Sequence, residues 1–339
     1  MKTKILVVED SILMQRVIGD IIASSDEFEV CGFARDVTEG WAKFNKTSPD
    51  LVTLDFELPG ENGLLLLERI MSTRPVPVLM LSAHTKEGAE LTIRSLELGA
   101  IDFFTKPSGP ISIDLYNYKK ELLDKISAAR QARIPEVLKR KVVRQADTFQ
   151  DVYIAIAAST GGVRALNYII PSLPAKSGLR VIVVQHMPKF FTASLAQHLN
   201  ERSSMVVKEA KNNDMILSGE VLIAPGGFHI AVDREGRKIV LLDSPSRHGV
   251  KPSADVLFES MAFVFKEKAV AVVLTGMGHD GAAGAIAVKK QKGTVIVQDP
   301  SDAVIGGMPQ STINAGVADY ILPLASIPDR IVDFIKKKE

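Results

Sequence analysis

The chain has 339 residues, 46% hydrophobic and 24% charged; at roughly 150 residues per domain this suggests two domains and excludes wholesale disorder. Its 41 basic and 40 acidic residues leave a net charge of +1, so the whole molecule exerts no pull on nucleic acid or an anionic membrane. The single cysteine, Cys31, excludes an intrachain disulfide and a cysteine-based zinc site.

The first half alternates strand and helix. Residues 4–8 (KILVV) are a short apolar run, and 11–25 carry helix-spaced Ile, Leu, Met and Val. Strand-like runs follow at 28–34, 51–54, 76–81 and 101–105, with helical spacing at 37–46, 63–72, 87–98 and 113–130. Continuous apolar strands between helices predict a doubly wound, five-stranded parallel sheet covered on both faces, complete by residue 125. Residues 126–150 hold six Lys or Arg against Glu136 and Asp147, a local charge of +4, and are interrupted by Pro135. They read as a linker or a solvated basic extension of the last helix, with docking to an acidic surface as the other reading.

A second α/β domain is expected over 151–339, Rossmann-like. Its strands are 152–157, 180–184, 220–224, 270–274 and 294–298, and its helices 162–172, 191–202, 254–268, 282–291 and 326–338. The runs 228–232 and 238–242 flank Asp233-Arg234-Glu235-Gly236-Arg237 and read as a small antiparallel hairpin. No apolar run reaches the ~18 residues of a membrane span. Glu9-Asp10 break the first apolar stretch too early for a signal peptide. The expectation is a cytoplasmic protein without direct membrane insertion.

Polar residues collect where the first sheet's strands end: Glu9 and Asp10 after strand one, Asp55 after three, Ser82 after four, Lys106 after five. Ligands bind at that edge of a doubly wound sheet. Three converging acids repel one another unless a cation sits among them, and oxygen ligands suit Mg²⁺. Lys106 and Ser82 complete a phosphate-sized site, with Asp55 as nucleophile. Acids at strand ends also serve as caps of the next helix. The runs ILVVEDS, PDLVTLDFELPGENG, PVLMLSA and LGAIDFFTKP resemble the receiver domain of two-component response regulators. The resemblance implies phosphorylation at Asp55 by a histidine kinase, Mg²⁺ held by Glu9, Asp10 and Asp55, and phosphate sensing by Ser82, Lys106 and Phe103. Phe103 matches the aromatic that swings inward on phosphorylation. Glu9 stands where Asp is commoner, and Asn62 likewise.

Three landmarks mark strand ends of the second domain: Ser159-Thr160-Gly161-Gly162, Gln185-His186-Met187-Pro188 and Gly276-Met277-Gly278-His279-Asp280-Gly281. Ser159, His186 and Asp280 can meet over one sheet edge for acyl transfer, with His186 as base and Asp280 orienting it. The nucleophile-elbow pattern is only partly met, since Ala157 stands where GxSxG has Gly, and the order Ser…His…Asp is not that of α/β-hydrolases. Each residue also has a plain role: Ser159 as cap or anion site, His186 as hydrogen-bonded histidine, Asp280 as turn residue. GMGHDG also matches GxGxxG, with Asp299 18 residues past Gly281, which keeps a dinucleotide-binding enzyme open.

The runs YIAIAASTGG, VVQHMP, VLIAPGGFH, KPSADVLFESMA, VVLTGMGHDGA and GMPQSTINAG resemble the catalytic domain of the chemotaxis protein-glutamate methylesterases, the CheB family. This implies Ser159 as nucleophile, His186 as base and Asp280 as third member. It implies Thr160 in setting the histidine and the Met277 backbone N–H at the oxyanion. The implied reactions are phosphorylation-activated hydrolysis of glutamate γ-methyl esters on chemoreceptor cytoplasmic helices, releasing methanol, and deamidation of receptor glutamines. The catalytic domain is expected to need no cofactor, and no helix-turn-helix for nucleic acid is visible. The departures are Ala158-Ser159 within AAS, where GAS or GSS is usual, and His279 in place of a frequent Asn. A receiver-gated, non-catalytic binding module remains the alternative outside enzymology.

Overall fold

Ile5, Leu6, Val7 and Val8 follow one another without polar alternation and are all fully buried, as a strand must be when helices cover both faces of its sheet. In the computed structural model, the structure describes residues 2–106, 113–134, 151–175 and 178–336. The chain divides into two compact units, Met1–Ile134 and Pro135–Glu339.

The first unit runs β1 (Thr3–Val8), α1 (Ile12–Ala23), β2 (Phe28–Ala34), α2 (Val37–Thr47), β3 (Leu51–Asp55), α3 (Gly63–Thr73), β4 (Val78–Ala83), α4 (Lys86–Leu98), β5 (Asp102–Lys106) and α5 (Lys119–Gln131). Its five strands are parallel in the order β2-β1-β3-β4-β5, the expected doubly wound sheet. The capping role considered for the strand-end acids falls to other residues. Ser11, Asp36, Asn62 and Thr85 accept the N–H of Met14, Glu39, Leu64 and Gly88 at the starts of α1 to α4. That leaves Glu9, Asp10 and Asp55 for other work. The helix expected over 113–130 is a 3-10 turn, Ile113–Tyr118, followed by α5. It continues past 125 because Ile126 and Ala129 still lie on its fully buried face. Most of the proposed linker lies outside the described residues.

The second unit runs β6 (Val152–Ala158), α6 (Gly162–Ile169), β7 (Leu179–Gln185), α7 (Phe191–Arg202), β8 (Val206–Glu209), β9 (Glu220–Ile223), β10 (His229–Val232), β11 (Ile239–Leu242), α8 (Ala254–Phe265), β12 (Ala269–Val273), α9 (Ala282–Lys290), β13 (Thr294–Gln298), α10 (Gly307–Asn314), β14 (Tyr320–Leu322) and α11 (Ile327–Ile335). Seven parallel strands form one sheet, β14-β13-β12-β6-β7-β9-β8. From β6 the chain first winds outward through β7, then returns to place β12 on the other flank. The strand order therefore reverses between β6 and β12, where ligands bind in open α/β sheets. The hairpin β10–β11 pairs antiparallel, apart from this sheet. Its Ile230, Val232 and Ile239 join Leu257, Phe258 and Met261 of α8 in the core. Among the described residues no helix is long and apolar enough to cross a membrane.

Candidate active site and phospho-acceptor pocket

Register brings Ser159 and His186 together. Ala158 pairs with Gln185 at the ends of β6 and β7, so the next residues, Ser159 and His186, emerge side by side. The His186 N–H donates to the Ala158 carbonyl at 3.0 Å, and the Ser159 N–H donates across to the Thr275 carbonyl beyond β12 at 3.0 Å. Thr275 is fixed in turn. Its N–H donates to Gln298 Oε1 at 2.9 Å, and its hydroxyl donates to the Thr160 carbonyl at 2.9 Å. Among the described residues Ser159 Oγ and His186 share no hydrogen bond.

Asp280 completes the cluster from the loop after β12. His186 Nε2 lies 2.8 Å from Asp280 Oδ2. Three more donors hold this buried carboxylate: Ser253 Oγ at 2.6 Å and the Asp255 N–H at 3.1 Å on Oδ1, and the Ala254 N–H at 2.6 Å on Oδ2. Burial alone would raise its pKa. The His186 bond and charge, with Ser253 and Ala254, outweigh that and lower it to about 2. Asp280 is thus a fixed anion, able to hold one imidazole tautomer and to stabilise imidazolium.

Ser159 leads into α6 through two glycines with different reasons. Gly161 has φ +79°, the left-handed conformation that suits glycine. Gly162 faces a close approach: a Cβ there would lie 2.1 Å from Gln185 Oε1 and 2.7 Å from Ala158 Cβ. Gln185 Nε2 donates to the Ser159 carbonyl at 2.9 Å, so displacing Gln185 disturbs the serine turn. Gly162→Ala is expected to lose about 1–3 kcal/mol of stability by overpacking, measured by chemical denaturation.

The first unit presents the other pocket. Glu9, Asp10 and Asp55 each offer an oxygen within 4.8 Å of the others. Lys106 Nζ reaches Asp55 Oδ2 at 2.5 Å and Glu9 Oε2 at 2.8 Å. Burial pulls Lys106 down, but the two carboxylates prevail and hold its pKa above the usual value. Burial pushes Glu9 up to about 7 against the pull of Lys106, with Asp55 adding repulsion. Among the described residues Glu9 Oε2 is buried and meets only the Lys106 ammonium, at 2.8 Å. All-oxygen donors with an under-served carboxylate fit a hard cation such as Mg²⁺. Ser82 is fully buried and turned to α4, with its Oγ 2.8 Å from Thr92 Oγ1 and 3.2 Å from the Gly88 carbonyl oxygen. Phe103, expected to swing inward, is already buried at 4% exposure.

Residues 154–331 match the family model for CheB methylesterase, and residues 5–115 that for the response regulator receiver domain. The protein-glutamate methylesterase/protein-glutamine glutaminase of Pyrococcus abyssi is 44% identical over 343 residues, covering 98% of this chain and 93% of that protein. The chain belongs to the CheB methylesterase family. The protein of the same name from Thermotoga maritima is 42% identical over 338 residues, covering 98% of each. The crystal structure of the Thermotoga maritima CheB methylesterase catalytic domain matches with a TM-score of 0.53 at 42% identity, covering 54% of this chain and 98% of that one. The chain is a hydrolase of the methylesterase class with an N-terminal receiver domain.

Within this CheB-type domain the dinucleotide expectation fails on geometry. A pyrophosphate would need the N–H groups at the start of α9. Asp255 Oδ1 already accepts two of them, from Gly281 at 3.0 Å and Gly284 at 2.6 Å. The glycine loop is closed by a carboxylate of its own chain. Asp255 is also the residue that sequence reasoning missed, together with Ser253, which donates to Asp280. The available signal was an acid in the first turn of a largely apolar helix, SADVLFESMAFVF.

Proposed function

We propose that the chain hydrolyses glutamate γ-methyl esters on the cytoplasmic helices of chemoreceptors and deamidates receptor glutamines to glutamate, through an acyl-enzyme on Ser159. The observation that carries this reading is the 2.8 Å contact of His186 Nε2 with Asp280 at the reversal of strand order, beside the strand end that bears Ser159. Asp280 accepts the Nε2 hydrogen, which leaves Nδ1 to take the Ser159 proton as Oγ attacks the ester or amide carbon. His186 returns that proton to the departing methanol or ammonia. Water then enters by the same base and releases glutamate. The Met277 N–H has no hydrogen-bond partner among the described residues and is assigned to the developing oxyanion. Thr160 helps set the histidine.

The receiver regulates this reaction. Asp55 accepts a phosphoryl group from a histidine kinase, and Lys106 pairs with its oxygens. Glu9, Asp10 and Asp55 would hold Mg²⁺, which neutralises phosphoryl oxygens when bound. Ser82 and Phe103 relay the added charge of about −1.5 to −2. A tenfold activation needs only about 1.4 kcal/mol of differential stability between resting and active states. The setting is the cytoplasm, with receptor helices and kinase as partners. Methanol release from methylated receptors, with and without a small-molecule phosphodonor, tests the whole scheme. Asp55→Asn is expected to abolish stimulation by the phosphodonor, and a normal response would remove Asp55 as the switch.

A further inference from the structure

Beside Asp280 lies a pair of histidines that the proposed reaction does not use. His279 Nε2 and His248 Nδ1 are 3.0 Å apart, with the rings edge-on at 69°. The other nitrogen of His248, Nε2, lies 2.9 Å from Asp255 Oδ2. Asp255 is fully buried, and its remaining oxygen is taken by the Gly281 and Gly284 N–H groups. An ionised carboxylate only accepts, so His248 Nε2 carries a hydrogen. Neutral His248 then presents a bare lone pair on Nδ1, aimed at His279.

We propose that His248 and His279 form a two-histidine site for a divalent transition-metal ion of the zinc type, at the rim of the esterase centre. With Zn–N bonds near 2.0–2.1 Å, two nitrogens of a tetrahedral site sit roughly 3.3 Å apart. The observed 3.0 Å is a hydrogen bond in the metal-free pair, so an ion requires the rings to part by about 0.3 Å, His279 to carry its hydrogen on Nδ1, and both lone pairs to turn to a common point. The carboxylate on the far nitrogen of His248 is the support that metal-binding histidines ordinarily have, fixing tautomer and ring direction. The backbone also commits His248 to this place. His248 and Gly249 have φ +55° and +78° in a two-residue turn closed by hydrogen bonds between Arg247 and Val250. Such a turn favours Asn-Gly, and histidine holds it under strain.

Charge and access point the same way. One guanidinium, Arg247, pairs with Glu259 at 2.7 Å through both of its terminal nitrogens, lies 3.8 Å from Asp255 and feels the charge of Asp280 as well, three carboxylates to one cation. That surplus of negative charge favours a cation. His279 is exposed, so an ion arrives from solvent with water filling its remaining positions. The inner set of His248, Asp255 and Asp280, with ligand atoms within 4.8 Å, is the poorer site, because its carboxylate oxygens already accept hydrogen bonds from Ser253, Ala254, His186, Gly281, Gly284 and His248. An ion on His279 sits one residue from Asp280 and opposes imidazolium formation at His186. Zinc then slows the esterase, a consequence that rests on the proposed function, whereas binding does not.

Calorimetric titration of the full chain with ZnCl₂, in excess MgCl₂ to satisfy the receiver carboxylates, is expected to show one site. His279→Asn and His248→Gln should each weaken it tenfold or more, on the order seen when a metal site loses support. His279 is exposed, so His279→Asn should fold normally. One equivalent of zinc should depress methanol release in the wild type but not in His279→Asn. Equal zinc affinity in the wild type and His279→Asn, or no zinc site at all, overturns the proposal. The titration decides the metal site whether or not the chain releases methanol.

Discussion

Ser159→Ala is expected to lower methanol release by roughly 10,000-fold or more, the scale on which a triad loses its nucleophile. Stability should change little. The Ser159 hydroxyl makes no hydrogen bond among the described residues, so its removal orphans no partner, and the turn is held by backbone groups and by Gln185. The two readouts together separate chemistry from folding. Methanol release near the wild-type rate in a folded Ser159→Ala protein would sink the nucleophile assignment. If the wild type also releases none, the receiver-gated binding module becomes the better reading. A deamidation assay on a receptor glutamine should fall in parallel, because in the proposed scheme one acyl-enzyme serves both reactions.

The sheets were legible because buried parallel strands are written as nearly unbroken apolar runs: KILVV and VYIAIA fall within β1 and β6, and VAVVL within one residue of β12. What escaped lies at the edges and in long-range contacts. Of β8, only Val207 is buried, and Val206 is 54% exposed. The outer strand β14 has three residues, with Ile321 at 47%. Neither offers a hydrophobic period to read. The helix α10 hides behind Gly306-Gly307 and Pro309, which suggest a loop. Strand ends singled out Ser159, His186 and Asp280, since a doubly wound sheet collects ligands there. Asp255 could not be found that way. Its partners Asp280, Gly281 and Gly284 lie more than 20 residues away in the loop after β12 and the start of α9, a meeting that only the packed domain creates. The orientation of Ser82 toward Thr92 was equally invisible, because residue type states the hydroxyl but not its rotamer.

In the proposed mechanism Asp280 serves both catalysis and stability, and its substitution should have the second large effect. Asp280→Asn keeps the shape but loses the charge that holds the His186 tautomer, so activity should fall by about 10,000-fold. Asp280→Ala leaves Ser253 Oγ, the Ala254 and Asp255 N–H groups and His186 without their acceptor. Breaking such a buried arrangement by removing one partner costs about 3–5 kcal/mol. The pH dependence has a definite sign. The Asp280 carboxyl titrates near 2 in the folded protein against a reference of 3.8, so the folded state favours the anion, by about 2 kcal/mol at neutral pH. That stabilisation is complete above the unfolded value and disappears as pH falls through the folded one. The unfolding free energies of wild type and Asp280→Asn, measured by denaturant titration from pH 7 downward, should therefore converge between about pH 4 and pH 2. Because other carboxylates titrate equally in both proteins, only the difference isolates Asp280. A gap that stays constant over this range would show that the carboxylate is not held as an anion by His186 and its neighbours, and would remove the electrostatic basis of the triad.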